Sequence, residues 1–381
     1  MRHILSSIKN NAVLYLSGLL AFISCFIIRP DKEYPGYINV RVLSILFCLM
    51  LIVAALVRIG TFDILTGKLL KKISSIRGIA LLLTVLSFFM SMFLTNDVTL
   101  VTLVPFAIMV LEPFDLPRKL MYTLITMTVA ANLGSMLTPI GNPQNLYLYS
   151  EYNLGLGEFL LLMLPYSALS LVIVVFLVFL LVRNGKSENK PISRELKALP
   201  KAKLIIYILL FVLNILTVAG YVHFLISFAV TSIALIIMDR KAFKNVDYQL
   251  LLTFVFFFIL TGNIGRMTAI TDALSGLVSK HPIPAAVLSS QIISNVPAAM
   301  LLSAFTDNGK ALVIGTNLGG LGTLIASMAS LITYKFHSAL AYKYSLKNQK
   351  SGSYLLAFSI INIVTLVVLY GFYLLLETLP S

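Results

Sequence analysis

Charge is what this chain has least of. Of its 381 residues only 12% are Asp, Glu, Lys or Arg, while 59% are hydrophobic and the mean hydropathy is +0.94. That composition excludes an ordinary water-soluble domain and is expected of a polytopic membrane protein. Cysteine is nearly absent as well. The two present, Cys25 and Cys48, both fall inside apolar runs, so a disulfide framework is excluded. The chain has no Walker loop, no His-Glu-x-x-His and no paired Cys at metal-ligand spacing; nothing in it asks for an enzyme's cofactor or a structural metal.

What the chain does have is long apolar runs, near 12–28, 38–57, 78–94, 98–111, 120–137, 158–182, 204–220, 221–238, 250–264, 283–305, 311–334 and 354–376. Several are shorter than the roughly 20 residues a full span needs, so some must be half-helices. The first run lacks a convincing small-residue cleavage site and is read as a retained helix. The net charge of +14 would suit a nucleic-acid partner, but its distribution argues against one. With the N-terminus in the cytoplasm, and with residues 79–111 and 283–305 as hairpins that enter and leave on one side, most basic residues fall inside. Arg29, Lys32, Arg41, Arg266, Lys280 and Lys310 fall outside or near it. This is the positive-inside bias of a bilayer protein, and it places the chain in a plasma membrane, the prokaryotic cytoplasmic membrane being presumed.

The expected fold is all-α and polytopic, with two inverted-topology repeats. A membrane helix in residues 1–37 precedes repeat 1 (38–182), which holds a hairpin at 79–111 and a broken helix at 120–145. A cytoplasmic linker and two connecting helices (183–249) follow. Repeat 2 (250–381) holds a hairpin at 283–305 and a broken helix at 311–334. Each repeat reads, in order, as a span, an amphipathic stretch, a hairpin, a broken span and a closing span, the second upside down.

Two polar words, each written twice, carry the chemistry. Thr95-Asn96-Asp97 interrupts the first hairpin, and Ser294-Asn295-Val296-Pro297 interrupts the second. Asn-Leu-Gly-x-x-x-Thr-x-Ile then recurs, with Asn132, Gly134 and Thr138 matching Asn317, Gly319 and Thr323. Ser135, Pro139, Gly141, Asn142 and Pro143 extend the first copy, and Gly320 and Gly322 extend the second. Hydrocarbon offers unpaired backbone groups no hydrogen bonds, so such Gly/Pro-broken words survive only inside protein or beside a cavity. A hairpin tip also presents the carbonyl end of one half-helix beside the amide end of the next, an arrangement that serves cations and anions respectively.

Plainer readings compete with these. Tip residues can be simple caps, and small residues can serve close helix packing, which suits Gly319 and Gly322. Packing does not account for Thr-Pro-Ile-Gly-Asn-Pro-Gln-Asn at 138–145, with three amide side chains and two prolines. Asp97 is the one acidic residue placed well within hydrocarbon depth, as a cation ligand, a proton carrier or an N-cap. Arg266 suits snorkelling to the outer interface better than anion capture, and His223 reads as interfacial. A membrane scaffold or sensor with a vestigial site is a further alternative, which degenerate tips would favour; these tips are intact.

These words in this order resemble the ion transporter superfamily, which includes arsenite permeases, NhaD-type sodium/proton antiporters, citrate transporters and divalent anion/sodium symporters. The resemblance covers roughly 38 to 377. In the dicarboxylate symporters the tips read Ser-Asn-Thr; this chain keeps the Asn and departs at the third position, which leans toward the arsenite permease and antiporter side. The resemblance implies re-entrant hairpins meeting at the midplane, a homodimer in the lipid bilayer, and elevator-type alternating access coupled to Na⁺ or H⁺, with no other cofactor; four half-helix ends converging without a hydrolytic motif point to symport of a small anionic substrate, organic or inorganic. A Na⁺/H⁺ antiporter or arsenite-type efflux permease is the alternative. By the same carry-over, Asn96, Asn132, Asn295 and Asn317 would frame ion and substrate sites, and Asp97, as an intramembrane carboxylate, would join them in holding Na⁺.

Overall fold

The computed structural model describes residues 12–70, 73, 75–114, 117–184, 199–343 and 351–378, and every regular element among them is a helix. The first half contains α1 (Ala12–Ile27), α2 (Val40–Arg58), α3 (Thr61–Leu70), α4 (Ile76–Leu94), α5 (Asn96–Leu111), α6 (Pro117–Gly134), α7 (Pro143–Glu151) and α8 (Leu156–Leu181). Two connecting helices follow, α9 (Lys201–Val218) and α10 (Phe224–Met238). The second half contains α11 (Tyr248–Gly265), α12 (Thr268–Lys280), α13 (Pro282–Ile293), α14 (Asn295–Leu302), α15 (Gly309–Gly319), α16 (Met328–Lys343) and α17 (Ser351–Thr378). Most of the 183–203 linker lies outside the described residues.

Seven of these segments are long and apolar enough to cross a membrane: α2, α4, α6 with its 3₁₀ extension to Leu137, α8, α9, α11 and α17. Among the hairpin helices, α5 and α13 are apolar but shorter, and so are α1 and α10, which the sequence reads as spans. Burial separates the inside of the bundle from its rim. The α6 segment is 89% buried, whereas α9 and α17 are 28% buried, so α6 runs through the core and the other two turn most of their apolar surface outward.

Local chemistry sets the boundaries. Asn39, Ser75, Asp247 and Asn308 cap α2, α4, α11 and α15, each accepting from a backbone amide three residues on. Such caps satisfy amides that have no intrahelical partner. Ion pairs sit at helix ends. Arg58 meets Asp239 at 3.0 Å, joining the end of α2 to the end of α10, and Lys310 meets Glu158 at 2.7 Å.

Both halves present the same order: a long helix (α2, α11), a shorter one (α3, α12), a pair of helices separated by one residue (α4 and α5, α13 and α14), an interrupted helix (α6 to α7, α15 to α16) and a long closing helix (α8, α17). The second interrupted helix continues to Lys343, further than the 311–334 expected from hydropathy, because Lys335 is exposed while Thr333 and His337 on the neighbouring face are buried. Hydropathy alone ends a span at its first Lys; the helix itself does not.

Candidate functional site

The two single-residue breaks have the same shape. Thr95 adopts φ 67°, ψ 153°, and Ser294 adopts φ 74°, ψ 154°. Positive φ at a residue with a Cβ costs on the order of 1–3 kcal/mol, and both tips hold it. Each break turns one helix directly into the next, with Asn96 or Asn295 as the first helical residue.

Matching Thr95 to Ser294 places Met92 against Gln291 and Ser91 against Ser290, and the contacts repeat accordingly. Thr138 Oγ1 donates to the Met92 carbonyl, and Thr323 Oγ1 donates to the Gln291 carbonyl at 3.1 Å. A Cβ on Gly134 would lie 2.7 Å from Ser91 Oγ and 2.0 Å from the Phe88 carbonyl oxygen; one on Gly319 would lie 2.6 Å from Ser290 Oγ. Each interrupted helix therefore presses a glycine against the helix that precedes its tip, and its threonine ties down the carbonyl three residues before the break.

A second set of bonds crosses between the halves. Matching Asn132 to Asn317 places Asn142 against Ser327 and Asn145 against Ser330. Asn132 Nδ2 donates to Ser330 Oγ at 3.4 Å, and Asn317 Nδ2 donates to Asn145 Oδ1 at 2.7 Å. Each half thus reaches into the other at equivalent positions. Around the first crossing, Asn96 Nδ2 donates to Asn132 Oδ1 at 2.9 Å and to Ser327 Oγ at 3.4 Å, and Ser327 Oγ donates to Asn132 Oδ1 at 3.0 Å. Asn142 Nδ2 donates to Ser135 Oγ at 2.5 Å.

The second tip is held differently. The Asn295 amide donates to the Ala326 carbonyl at 3.0 Å, and Ser294 Oγ donates to the same oxygen at 3.3 Å. Gln291 braces the break that follows α15. Its Nε2 donates to the Gly319 and Leu321 carbonyls at 3.0 and 2.9 Å, and its Oε1 accepts from the Thr323 amide at 2.9 Å. Gly322 sits at φ +103° in this stretch, so its backbone conformation accompanies the packing role expected of it.

Most of the sequence candidates converge. Asn96, Asn132, Asn142, Ser294, Asn295 and Asn317 are all buried, and Gly320 lies where a Cβ would be 3.0 Å from Asn295 Nδ2. A Cβ on Gly141 would meet the Ser135 carbonyl at 2.1 Å. Pro297 is buried in the first turn of α14, and Thr323 is exposed. Asp97 stands apart: it lines a cavity bounded by α2 and the start of α11, and its Oδ1 is buried without a partner. Arg266 lies at an end of α11, bonded to Asp31 at 2.7 Å, Glu33 at 3.4 Å and the Tyr37 hydroxyl at 2.9 Å. The Glu33 amide and the Arg266 guanidinium hold the Asp31 carboxyl below its ordinary range. His223 caps α10.

Sequence reasoning missed Gln291, Ser327 and Ser330 and left Gln144 and Asn145 outside the candidate set. The signal for the two serines was available, since they match Asn142 and Asn145 once the Asn132 and Asn317 words are aligned. Gln144 is 1% exposed with neither side-chain polar atom partnered, and Asn142 Oδ1 and Asn317 Oδ1 are likewise buried and unpartnered. An unpaired buried polar atom costs roughly 1–3 kcal/mol, so a polar ligand is the natural complement of such a group. No Lys or Arg is buried among the described residues, and no three His, Cys, Asp or Glu residues converge there. A cation held here would rest on amide, hydroxyl and carbonyl oxygens with a single carboxylate nearby.

The sequence that builds this centre has a match among known families. The profile described as citrate transporter matches residues 3–308. The chain belongs to that family. It is 37% identical over 348 residues to an uncharacterised transporter of Methanocaldococcus jannaschii, covering 91% of this chain and 92% of that protein. It is 29% identical over 317 residues to the inner membrane protein YbiR of Escherichia coli, covering 82% and 84% respectively. A silicon efflux transporter of Oryza sativa, LSI3, is 31% identical over 150 residues, covering 39% of this chain and 30% of that protein. This member of the citrate transporter family is a polytopic membrane transporter.

Proposed function

We propose that this transporter is a secondary active one, moving a small oxygen-rich anion, carboxylate or inorganic oxyanion, coupled to Na⁺ or H⁺. The observation that carries the reading is the reciprocal pair of bonds, Asn132 to Ser330 and Asn317 to Asn145. Two matched halves that meet through buried amides form one polar centre in an apolar bundle, as inverted repeats do around a midplane site. In this reading the two tips are re-entrant, the N-terminus and the 183–203 loop are cytoplasmic, and the Asn96 and Asn295 ends of α5 and α14 face the solute. A homodimer and elevator-type movement belong to the same proposal and rest on family resemblance. The relatives matched over most of their length are named as a transporter and a membrane protein, without a substrate.

A second reading is favoured by a specific observation. With no buried Lys or Arg among the described residues, and with Asn142 Oδ1, Asn317 Oδ1 and Gln144 Oε1 as spare acceptors against Gln144 Nε2 as a spare donor, the centre suits a hydrogen-bond donor or a cation better than a compact anion. Efflux of an arsenite-type hydroxo acid, or Na⁺/H⁺ antiport through Asp97, fits that balance, and one partial relative is named for silicon efflux.

A thermal-shift screen of the purified protein separates the readings, because a ligand at 100 times its Kd stabilises the fold by about 2.7 kcal/mol. Stabilisation by citrate, a dicarboxylate, phosphate or sulfate supports the anion reading. Stabilisation by arsenous or silicic acid, or by Na⁺ or Li⁺ alone, supports the second, and no response to any of them contradicts both.

A further inference from the structure

We propose that the small cavity between α2, the first tip and the start of α11 is the entry for the coupling cation, with Asp247 at its mouth and Asp97 at its inner end. The inference deepens the coupling part of the proposed function and rests on that reading.

The cavity measures about 60 Å³. Leu46, Leu49, Met50 and Val53 of α2 wall one side, and Leu250 closes the start of α11. Among the described residues, its only polar lining side chains apart from Thr95 are the carboxylates of Asp97 and Asp247, and none of its lining residues is basic. Apolar walls concentrate the field of such charges, because little polarisable material screens them. A cation is drawn in and an anion is opposed. The volume holds a few water-sized groups, enough for Na⁺ or a hydronium ion.

The two carboxylates are suited to different ends of one path. Asp247 is exposed, and its Oδ1 caps α11 by accepting from the Leu250 amide at 2.9 Å, leaving its other oxygen to meet an arriving ion. Asp97 Oδ1 is buried without a partner, and the Asp97 amide donates to Asn96 Oδ1 at 2.9 Å. Asn96 in turn donates to Asn132. An ion passed from Asp247 to Asp97 therefore arrives one residue from the crossed amide centre. In the second half Val296 occupies the place of Asp97, so the pairing has one copy and the route has one sidedness.

The test needs no knowledge of the substrate. Full-length protein with Cys25 and Cys48 replaced by Ala carries a reporter, Leu250→Cys or, in a second variant, Met50→Cys, and is reconstituted in vesicles of known orientation. A trimethylammonium methanethiosulfonate and its sulfonate counterpart label the thiol, and their rate ratio is normalised to a free thiol in solution. Charge focusing predicts a preference for the cationic reagent of about tenfold, seen only from the face that bears Asp247. Asp247→Asn keeps the cap, since Asn caps as well as Asp, and the ratio should fall toward one. Added Na⁺, or protons delivered by lowering the pH on that face, should slow labelling while Asp97 is present and do so less in Asp97→Asn.

A ratio unaffected by Asp247→Asn, labelling from the opposite face, or failure of both reporters to label from either face overturns the proposal. The transport reading fails separately: selective labelling without any gradient-driven flux would leave the cation entry standing and remove coupled transport.

Discussion

The side-chain amide of Asn317 donates to Asn145 Oδ1 at 2.7 Å, carrying the second half of the chain into the first. Its counterpart runs the other way, from Asn132 to Ser330. Neither bond serves a cap or a turn within its own helix, so their common role is to hold the two interrupted helices against each other. If this pair is an interacting unit, Asn317→Ala and Asn145→Ala will be non-additive. A double-mutant cycle on thermal unfolding in detergent should give a coupling of about 1 kcal/mol, and strict additivity would show that the contact contributes nothing.

The tips make a second prediction. Asn96→Ala and Asn295→Ala should each abolish transport with expression and folding nearly intact if, as proposed, the Asn96 and Asn295 ends of α5 and α14 face the solute. A pure capping role predicts the reverse, a loss of about 1 kcal/mol of stability with transport retained. Uptake alongside the melting temperature of each variant separates the two.

Close helix contact can be tested without touching any polar group. A Cβ at Gly134 would lie 2.0 Å from the Phe88 carbonyl oxygen, while one at Gly265 would meet nothing within 4 Å. Gly134→Ala should cost about 1–3 kcal/mol through forced backbone shifts, and Gly265→Ala should leave the melting temperature unchanged or slightly raised. Equal behaviour of the two variants would contradict the packing described.

The Arg266 cluster gives a pH prediction. Asp31 has a lowered pKa from the Glu33 amide and the Arg266 guanidinium, so its contribution is present above the ordinary carboxylate value of 3.8 and is lost as pH falls through the lower folded value. Arg266→Gln should lower the melting temperature slightly at pH 7, less at high salt since the groups are exposed. As pH falls below about 4 and on through the lower folded value, the difference between the variant and the parent should shrink and vanish. A difference that grows on acidification would contradict the assignment.

Much of this architecture was legible because hydrocarbon penalises irregular polar backbone so heavily. Thr95-Asn96-Asp97 and Ser294-Asn295 announced the breaks, and the repeated Asn-Leu-Gly word located the interrupted helices. The partners of that word were harder to see. Ser327, just ahead of α16, and Ser330, in its first turn, are ordinary small polar residues, and only the crossing of α16 against α6 gives them a role. Gln291 lies in an apolar run, where one amide reads as tolerated rather than as the brace for three backbone groups. Asp97 was recognised as unusual, but sequence placed it with its asparagine neighbours. Helix geometry turns it instead toward α2 and Asp247, since adjacent residues on a helix do not share a face.

Orientation is the assumption behind the positive-inside argument. A cysteine introduced at Ser187, in the 183–203 linker, should label only from the cytoplasmic side. Labelling by an impermeant reagent outside intact cells would invert the topology and reassign the face on which Asp247 opens.

Coupled transport is tested most directly in proteoliposomes under an imposed Na⁺ or pH gradient, comparing the parent with Asp97→Asn and using whichever solute stabilises the purified protein. Asp97→Asn preserves shape and capping ability while removing the charge. The account predicts gradient-driven accumulation by the parent, and in the variant retained solute binding with accumulation lost. Accumulation by Asp97→Asn equal to that of the parent, or uptake by the parent that ignores both gradients, would contradict it.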